Sequence, residues 1–232
     1  MPASTWRRTI EMARLRTAHW RALREPRGCG PALIVLCCLP AVIALGGVTA
    51  DIVIGTRWFG SNPIKAVEHY FGDWTLRLLI ATLAVTPLRR LTGWVWLTRH
   101  RRTLGLACFG YLMAHWLTYA LIDVQLDWLE LLTDLAKRPY IMIGMTALTL
   151  MLPLAITSTQ AMRRRLARNW NRLHWLIYPI AILGVVHFWM SVKQDVTEPL
   201  IYAVIIGLSF AARIYAALPG LVPRAAFTRK AA

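Results

Sequence analysis

The sequence predicts an all-α integral membrane protein, a bundle of six transmembrane helices with both termini in the cytoplasm. Of its 232 residues, 57% are hydrophobic, and the mean hydropathy is +0.47, above the range of ordinary soluble domains. The stretch Leu173–Val192 contains twenty residues without a formal charge. At about 1.5 Å per residue this matches the roughly 30 Å hydrocarbon thickness of a bilayer. The basic residues lie between the apolar runs, as they do in the loops of membrane proteins.

Six apolar runs are candidates for membrane spans. The second run is interrupted by Arg77, and the fourth contains Pro153. Between the third and fourth runs, residues 123–138 have the pattern of a short amphipathic helix on the outer membrane surface. In chain order the six predicted spans are Pro31–Ile54, Trp74–Leu88, Thr103–Ile122, Tyr140–Ala161, Leu173–Val192 and Pro199–Leu218.

The distribution of charge predicts the orientation of the bundle. Of the 27 basic residues, 21 lie in the N-terminal arm, the C-terminal end and the two loops on the same side as these ends. The three alternate loops hold five basic residues and nine acidic ones. The excess of Arg and Lys in cytoplasmic loops therefore places both termini inside. The predicted domains are a basic arm on anionic lipid (1–30), a transmembrane domain (31–218) and a cytoplasmic tail (219–232).

Several functional classes are excluded by what the sequence lacks. The net charge of +16 is divided among loops, so it indicates membrane topology rather than nucleic-acid binding. The four cysteines form no CxxC pair, which predicts neither a disulfide framework nor a zinc site. The chain has no Gly-x-Gly-x-x-Gly motif and no Ser-His-Asp arrangement, so no nicotinamide domain and no hydrolytic site are expected.

Two histidines are predicted to share one level in the outer half of the membrane. His115 lies roughly 18 Å along the third span, and His187 lies roughly 21 Å along the fifth, which runs in the same direction. A histidine at such depth is costly and requires a partner or a ligand. Two imidazoles at one level on neighbouring helices suit bis-histidine ligation of a haem iron. Gly110 and Gly184 lie nearby in sequence and would leave room for a flat macrocycle. A hydrogen-bonded histidine pair, or a proton relay in a small transporter or channel, is the alternative.

His174 and Arg77 are further candidates. His174 is expected at the cytoplasmic end of the fifth span, without a histidine at the same level on the third. It could ligate a second, inner haem, contact a flavin, or be an ordinary interfacial residue. Arg77 is placed at a suitable height to meet haem propionates, or its side chain could reach the membrane interface.

Five segments of the chain resemble the MsrQ family, the haem-binding membrane subunits of bacterial methionine sulfoxide reductase systems. Their order and spacing match over roughly Pro31 to Arg213, and the combination of TSTQAM, RLHWLIY and HFWMSVK is specific. The five segments are Ala81–Leu91, Arg101–Tyr119, Arg138–Met145, Thr157–Lys193 and Pro199–Ala203.

The resemblance implies a b-type cytochrome of the bacterial inner membrane, in the ferric reductase and NADPH oxidase superfamily. It implies haem b and FMN as cofactors, with His115, His174 and His187 as the family's histidines. It also implies that electrons pass from the quinone pool or a cytosolic flavin reductase to MsrP, a periplasmic molybdopterin methionine sulfoxide reductase. The chain would then be an electron-transfer subunit, and the catalytic subunit would be the partner.

The residues of an FMN site are not evident from a motif. Because a flavin phosphate would favour the basic inner loops, the candidates by location are Ser158, Thr159, Gln160, Arg163 and Arg164. A stand-alone ferric or quinone reductase of the same superfamily is the remaining alternative.

Overall fold

The computed structural model describes residues 25–192 and 195–215, and within these ranges every regular element is helical. Most of the predicted N-terminal arm and the whole predicted tail lie outside the described residues. The described ranges contain nine α-helices: α1 (Cys29–Val53), α2 (Pro63–Thr92), α3 (Leu97–Leu117), α4 (Trp128–Lys137), α5 (Pro139–Ile156), α6 (Gln160–Leu166), α7 (Arg168–Leu173), α8 (Ile177–Ser191) and α9 (Thr197–Tyr215). A π-helical turn, Thr118–Asp123, continues α3, and a 3₁₀ turn, His174–Leu176, joins α7 to α8.

Five helical segments are long and apolar enough to cross a membrane, and they correspond to five of the six predicted spans. The remaining predicted span, Trp74–Leu88, lies within α2. That helix has 30 residues and is therefore about 45 Å long. Its charged residues make it less apolar than the five segments above. The five segments are Cys29–Val53, Leu97–Asp123, Pro139–Ile156, Arg168–Ser191 and Thr197–Tyr215.

The core of the bundle forms where α2, α3 and α8 meet. α2 packs along α3, α8 packs along α5, and α9 lies against α2. Leu83 of α2, Cys108 of α3 and Ala181 of α8 are almost completely inaccessible. The thiol of Cys108 donates a hydrogen bond to the carbonyl of Thr75, so this cysteine is a buried packing residue, as expected from its apolar surroundings.

The fourth predicted span, Tyr140–Ala161, extends too far, because α5 ends at Ile156. The hydroxyls of Thr157 and Ser158 donate to carbonyls of the preceding turn, each at 2.6 Å. Thr159 then accepts a backbone N–H as the N-cap of α6. Short polar side chains that bond to the local backbone compete with continued helix, and three in succession end this one.

The amphipathic helix expected within residues 123–138 is confirmed as α4. Asp127 caps it by accepting the backbone N–H groups of Leu129 and Glu130, as an aspartate at this position commonly does. Trp128 and Leu129 are exposed, whereas Asp134 is buried against the rest of the chain. The helix therefore lies along the bundle with apolar side chains facing outward.

Candidate functional site

The structure brings His115 and His187 together. His115 is in the last turn of α3, and His187 is one turn before the end of α8. Their ring centroids are 6.1 Å apart and the ring planes are nearly perpendicular, at 79°. Both side chains are half-buried. The expectation that the two histidines lie at one level on neighbouring helices therefore agrees with the fold.

Each of these two rings is held by a backbone carbonyl of another helix. His115 Nδ1 lies 2.8 Å from the carbonyl oxygen of Glu68 in α2, and His187 Nδ1 lies 2.6 Å from that of Tyr140 in α5. A carbonyl oxygen can only accept, so both Nδ1 atoms carry the proton and donate. Each Nε2 consequently keeps its lone pair. This is the tautomer that a metal-ligating histidine adopts when its other nitrogen is held by a carbonyl.

Two glycines allow the helices behind the rings to approach closely. A Cβ added at Gly72 of α2 would lie 3.3 Å from Nδ1 and Cε1 of His115. A Cβ added at Gly144 of α5 would lie only 2.8 Å from Nδ1 of His187. Any side chain at Gly144 would therefore displace the imidazole or the helix.

The glycines that the sequence suggested do not have this role. A Cβ at Gly110 would meet nothing within 4 Å, and one at Gly184 would meet Leu76 at 3.3 Å. Gly184 thus permits close packing of α8 against α2 and lies against neither ring. That Gly110 and Gly184 leave room for a flat macrocycle stays a prediction, and the glycines that lie against the two rings come from different helices.

The separation of the two rings fits an iron held between them. Nitrogen–metal bonds of about 2 Å, with roughly 1 Å more from each nitrogen to its ring centre, place the ring centres about 6 Å apart. The observed separation is 6.1 Å. Together with the free Nε2 lone pairs, this distance means that the pair would fit a haem iron.

His174 lies in a separate cluster at the other end of α8. It begins the 3₁₀ turn, and its Nδ1 donates to the carbonyl of Trp170, 3.0 Å away. Its ring stacks on the Trp170 indole at a centroid distance of 3.7 Å, and the guanidinium of Arg163 lies 5.2 Å from the centre of that indole. The separation of His174 from the His115–His187 pair agrees with the sequence analysis, and its Nε2 likewise keeps a lone pair.

Arg77 is exposed and has partners other than the histidines. Its Nε donates to the hydroxyl of Tyr202 of α9 at 3.2 Å. The guanidinium lies 5.1 Å from the centre of the Trp74 ring, within the range of a cation–π contact. Gly72, which borders His115, is five residues earlier in α2, so Arg77 lies roughly 7.5 Å further along the helix axis.

The candidate flavin residues are only partly available for a ligand. The hydroxyls of Ser158 and Thr159 are engaged with the local backbone. Gln160 and Arg164 are exposed at the surface of α6, whereas Arg163, also exposed, faces Trp170. Of the five, the structure therefore associates only Arg163 with the His174 cluster.

Comparisons with known proteins agree with this architecture. Residues 71–185 match the family described as "Ferric reductase like transmembrane component", a match that includes His115 and His174 and ends two residues before His187. The helical bundle and this match define the chain as a multi-pass bacterial membrane protein with an electron-transfer role.

More specific relatives are haem-binding subunits of protein-methionine-sulfoxide reductases, called MsrQ. One, from Xanthomonas campestris pv. campestris (strain 8004), is 50% identical over 161 residues, which cover 69% of this chain and 74% of the relative. Another, from Rhodospirillum rubrum, is 45% identical over 188 residues, covering 81% and 88%. The chain belongs to the MsrQ family, within the ferric reductase-like superfamily.

Proposed function

We propose that this protein is a membrane b-type cytochrome in which His115 and His187 would hold the haem iron. The proposal rests on one observation, the pairing of two half-buried imidazoles whose Nδ1 atoms both donate to backbone carbonyls. These bonds fix the orientation of each ring and leave both Nε2 atoms available to iron. Haem bound there would supply one-electron chemistry, because its iron alternates between the ferric and ferrous states.

The proposed topology has six crossings, with α2 as the sixth membrane-spanning helix and both termini in the cytoplasm. The end of α3 and the start of α2 carry an ionic cluster, in which Lys65 contacts Asp123 at 2.6 Å and Glu68 at 3.0 Å. Acidic residues are characteristic of this end, and basic loops of the opposite one. The positive-inside rule then places His115 and His187 near the periplasmic surface and His174 near the cytoplasmic one. The proposed domains are the basic arm (1–30), the transmembrane domain (31–218) and the cytoplasmic tail (219–232).

An inner redox centre is needed because His174 and His187 are thirteen residues apart, roughly 20 Å along a helix. We assign the inner site to the cluster of His174, Trp170 and Arg163. This cluster offers an aromatic face, an imidazole with a free nitrogen and a cation. These groups suit either a second haem or the isoalloxazine and phosphate of FMN. Ser158, Thr159, Gln160 and Arg164 are the remaining candidates around such a flavin. The donor is then the quinone pool or a cytosolic flavin reductase.

The proposed acceptor is MsrP, a periplasmic molybdopterin enzyme that reduces methionine sulfoxide in oxidised proteins. Relatives are named as subunits of a protein-methionine-sulfoxide reductase, which supports a function in that repair system. The described part of this chain offers a site for an electron-carrying haem, and the reduction of the sulfoxide would take place in the partner. A stand-alone ferric or quinone reductase would differ in needing no such partner for turnover.

The test is absorption spectroscopy of the purified protein and of matched histidine variants. Wild type should show a reducible b-type Soret band, and His115→Ala and His187→Ala should each lose the haem of this site, which is all of the band if His174 binds no second haem. His69→Ala is the control and should leave the band unchanged, because His69 is exposed near the start of α2, next to Glu68. A folded but colourless wild-type protein would contradict the proposal and favour a histidine relay.

Two more variants test the inner site and Arg77. Loss of half the haem in His174→Ala would establish a second haem, and loss of flavin alone would establish FMN at the inner end. Unchanged haem and flavin in this variant would reject the inner assignment. Arg77→Ala should lower haem retention if the guanidinium, released from Tyr202, neutralises a propionate, and unchanged haem content would refute that role.

A further inference from the structure

Three side chains with metal-ligand chemistry converge where α1 and α3 begin. Glu25 precedes α1, Cys29 is its first residue, and His100 lies in the first turn of α3. One ligand atom from each, a carboxylate oxygen, the sulfur and an imidazole nitrogen, lies within 4.8 Å of the other two. Glu25 and Cys29 precede the segment that matches the ferric reductase family, whereas His100 lies within it; none of the three belongs to the His115–His187 pair or to the His174 cluster.

His100 is the strongest sign that the cluster binds a ligand. The residue is buried, with 8% of its surface exposed. Among the residues that the structure describes, its Nε2 has no hydrogen-bond partner, although it lies 2.9 Å from Oε1 of Glu25. The two atoms are close, but the oxygen lies off the line of a hydrogen bond. A buried polar atom in this state calls for an unseen partner.

The close approach without a hydrogen bond is what two ligands of one ion show. Donor atoms about 2.1 Å from one ion and 90–110° apart stand roughly 3.0–3.4 Å from each other. The 2.9 Å between His100 and Glu25 is close to this range. The other carboxylate oxygen of Glu25 contacts Arg99 at 3.2 Å, and the Trp96 ring packs edge-on against the imidazole. Both contacts restrict the movement of the two side chains.

The mixture of donors selects the kind of ion. Mg²⁺ and Ca²⁺ are bound through oxygen atoms, whereas a thiolate, an imidazole and a carboxylate together suit Zn²⁺. Three protein ligands leave one tetrahedral position for water. Cys29 would bind as the thiolate, so its proton is released to solvent when the ion enters.

We propose that Glu25, Cys29 and His100 bind one Zn²⁺ ion, which joins the start of α1 to the start of α3. The sequence could not indicate this site, because Glu25 and Cys29 are separated from His100 by about seventy residues and form no zinc motif. The ion would fix the point at which the chain enters the bundle. It would also neutralise the mutual repulsion of ligands brought together in a partly buried place.

The test is metal analysis of the full-length protein, purified with its cofactors and without a polyhistidine tag. After dialysis against zinc-free buffer, wild type is expected to take up one Zn²⁺ per chain in a competition titration with a chelator. Cys29→Ser and His100→Gln should each bind Zn²⁺ at least a hundredfold more weakly. Cys38→Ser is the matched control, because Cys38 is an exposed cysteine of the same helix outside the cluster, and it should bind as wild type does.

Co²⁺ provides a second readout that does not depend on any variant. Co²⁺ in the wild-type site should give a thiolate-to-metal charge-transfer band and the visible bands of a tetrahedral ion. The proposal is overturned if wild type takes up no Zn²⁺, if Cys29→Ser binds it equally well, or if the Co²⁺ complex lacks the thiolate band. In those cases Glu25 and His100 form only an ion pair. Haem content measured on the same samples reports separately on the His115–His187 site.

Discussion

The substitution Gly144→Ala tests how the His187 ring is held. The added methyl group would lie 2.8 Å from Nδ1 and 2.9 Å from Cε1 of His187, whereas carbon contacts are normally about 3.5–4.0 Å. The ring or helix α5 must therefore move by several tenths of an ångström. Tyr140, whose carbonyl accepts the Nδ1 proton at 2.6 Å, lies one turn earlier on α5. The same movement therefore strains the hydrogen bond that orients the ring.

The size of the effect combines the overpacking, the strained hydrogen bond and the gain in helix propensity. Overpacking costs about 1–3 kcal/mol, and loss of a hydrogen bond costs about 1 kcal/mol. Replacing glycine by alanine within a helix returns roughly 1 kcal/mol. To the extent that the haem-free protein can relieve this cost by moving the ring, a net cost of about 1–3 kcal/mol corresponds to a loss of roughly 5- to 150-fold in haem affinity. Loss of an outer hydrogen-bond partner of a metal ligand typically costs about 10- to 100-fold, which is consistent with this range.

The assay is transfer of haem from the purified protein to apomyoglobin, combined with the Soret spectrum and the reduction potential. Gly144→Ala should release haem faster and at lower apomyoglobin concentration than wild type. Gly110→Ala is the matched control, since it gives the same gain in helix propensity on the helix that carries His115 and meets nothing within 4 Å. If both variants retain haem equally, with the same spectrum and potential, then His187 is not an axial ligand held against α5.

Two further predictions concern the other histidine and a buried carboxylate. Gly72→Ala should weaken haem retention less than Gly144→Ala does. Its methyl group would lie 3.3 Å from the His115 ring, so the ring needs to move only slightly. An effect as large as that of Gly144→Ala would contradict this order. Asp134→Asn should lower the free energy of unfolding by about 1–3 kcal/mol, because Asp134 is 6% exposed and its carboxylate pairs with Arg138 at 3.1 Å. Thermal denaturation should show a lower Tm for this variant and almost no change in Tm for Glu130→Gln, an exposed carboxylate of the same helix. Equal shifts in the two variants would reject the role of the buried Asp134 carboxylate.

Much of the fold could be predicted from the sequence because a membrane restricts what a chain can do. Backbone polar groups in lipid must be satisfied within a helix, so apolar runs of about twenty residues identify the spans. The predicted levels of His115 and His187 followed from counting residues along two such helices. The error at the end of α5 arose where the sequence stays uncharged but becomes polar, and the hydroxyls of Thr157 and Ser158 bond to carbonyls of the preceding turn.

The surroundings of the histidines could not be predicted in the same way. The carbonyls that orient the two rings belong to Glu68 and Tyr140, each 47 residues from its histidine. A carbonyl is common to every residue, so no sequence signal distinguishes these two. Gly72 and Gly144 give a signal only once it is known which helix face lies behind each ring.

The sequence by itself determined the membrane class, most of the helical spans and the identity of the histidines, because these depend on composition and on spacing within one helix. The tertiary structure decided which atoms of the histidines are free, which glycines lie behind the rings, and that Glu25, Cys29 and His100 meet. These features depend on contacts between helices distant in sequence. Lipid and protein interiors are similarly apolar, so a hydrophobic pattern can identify a span but cannot specify the neighbours of each of its faces.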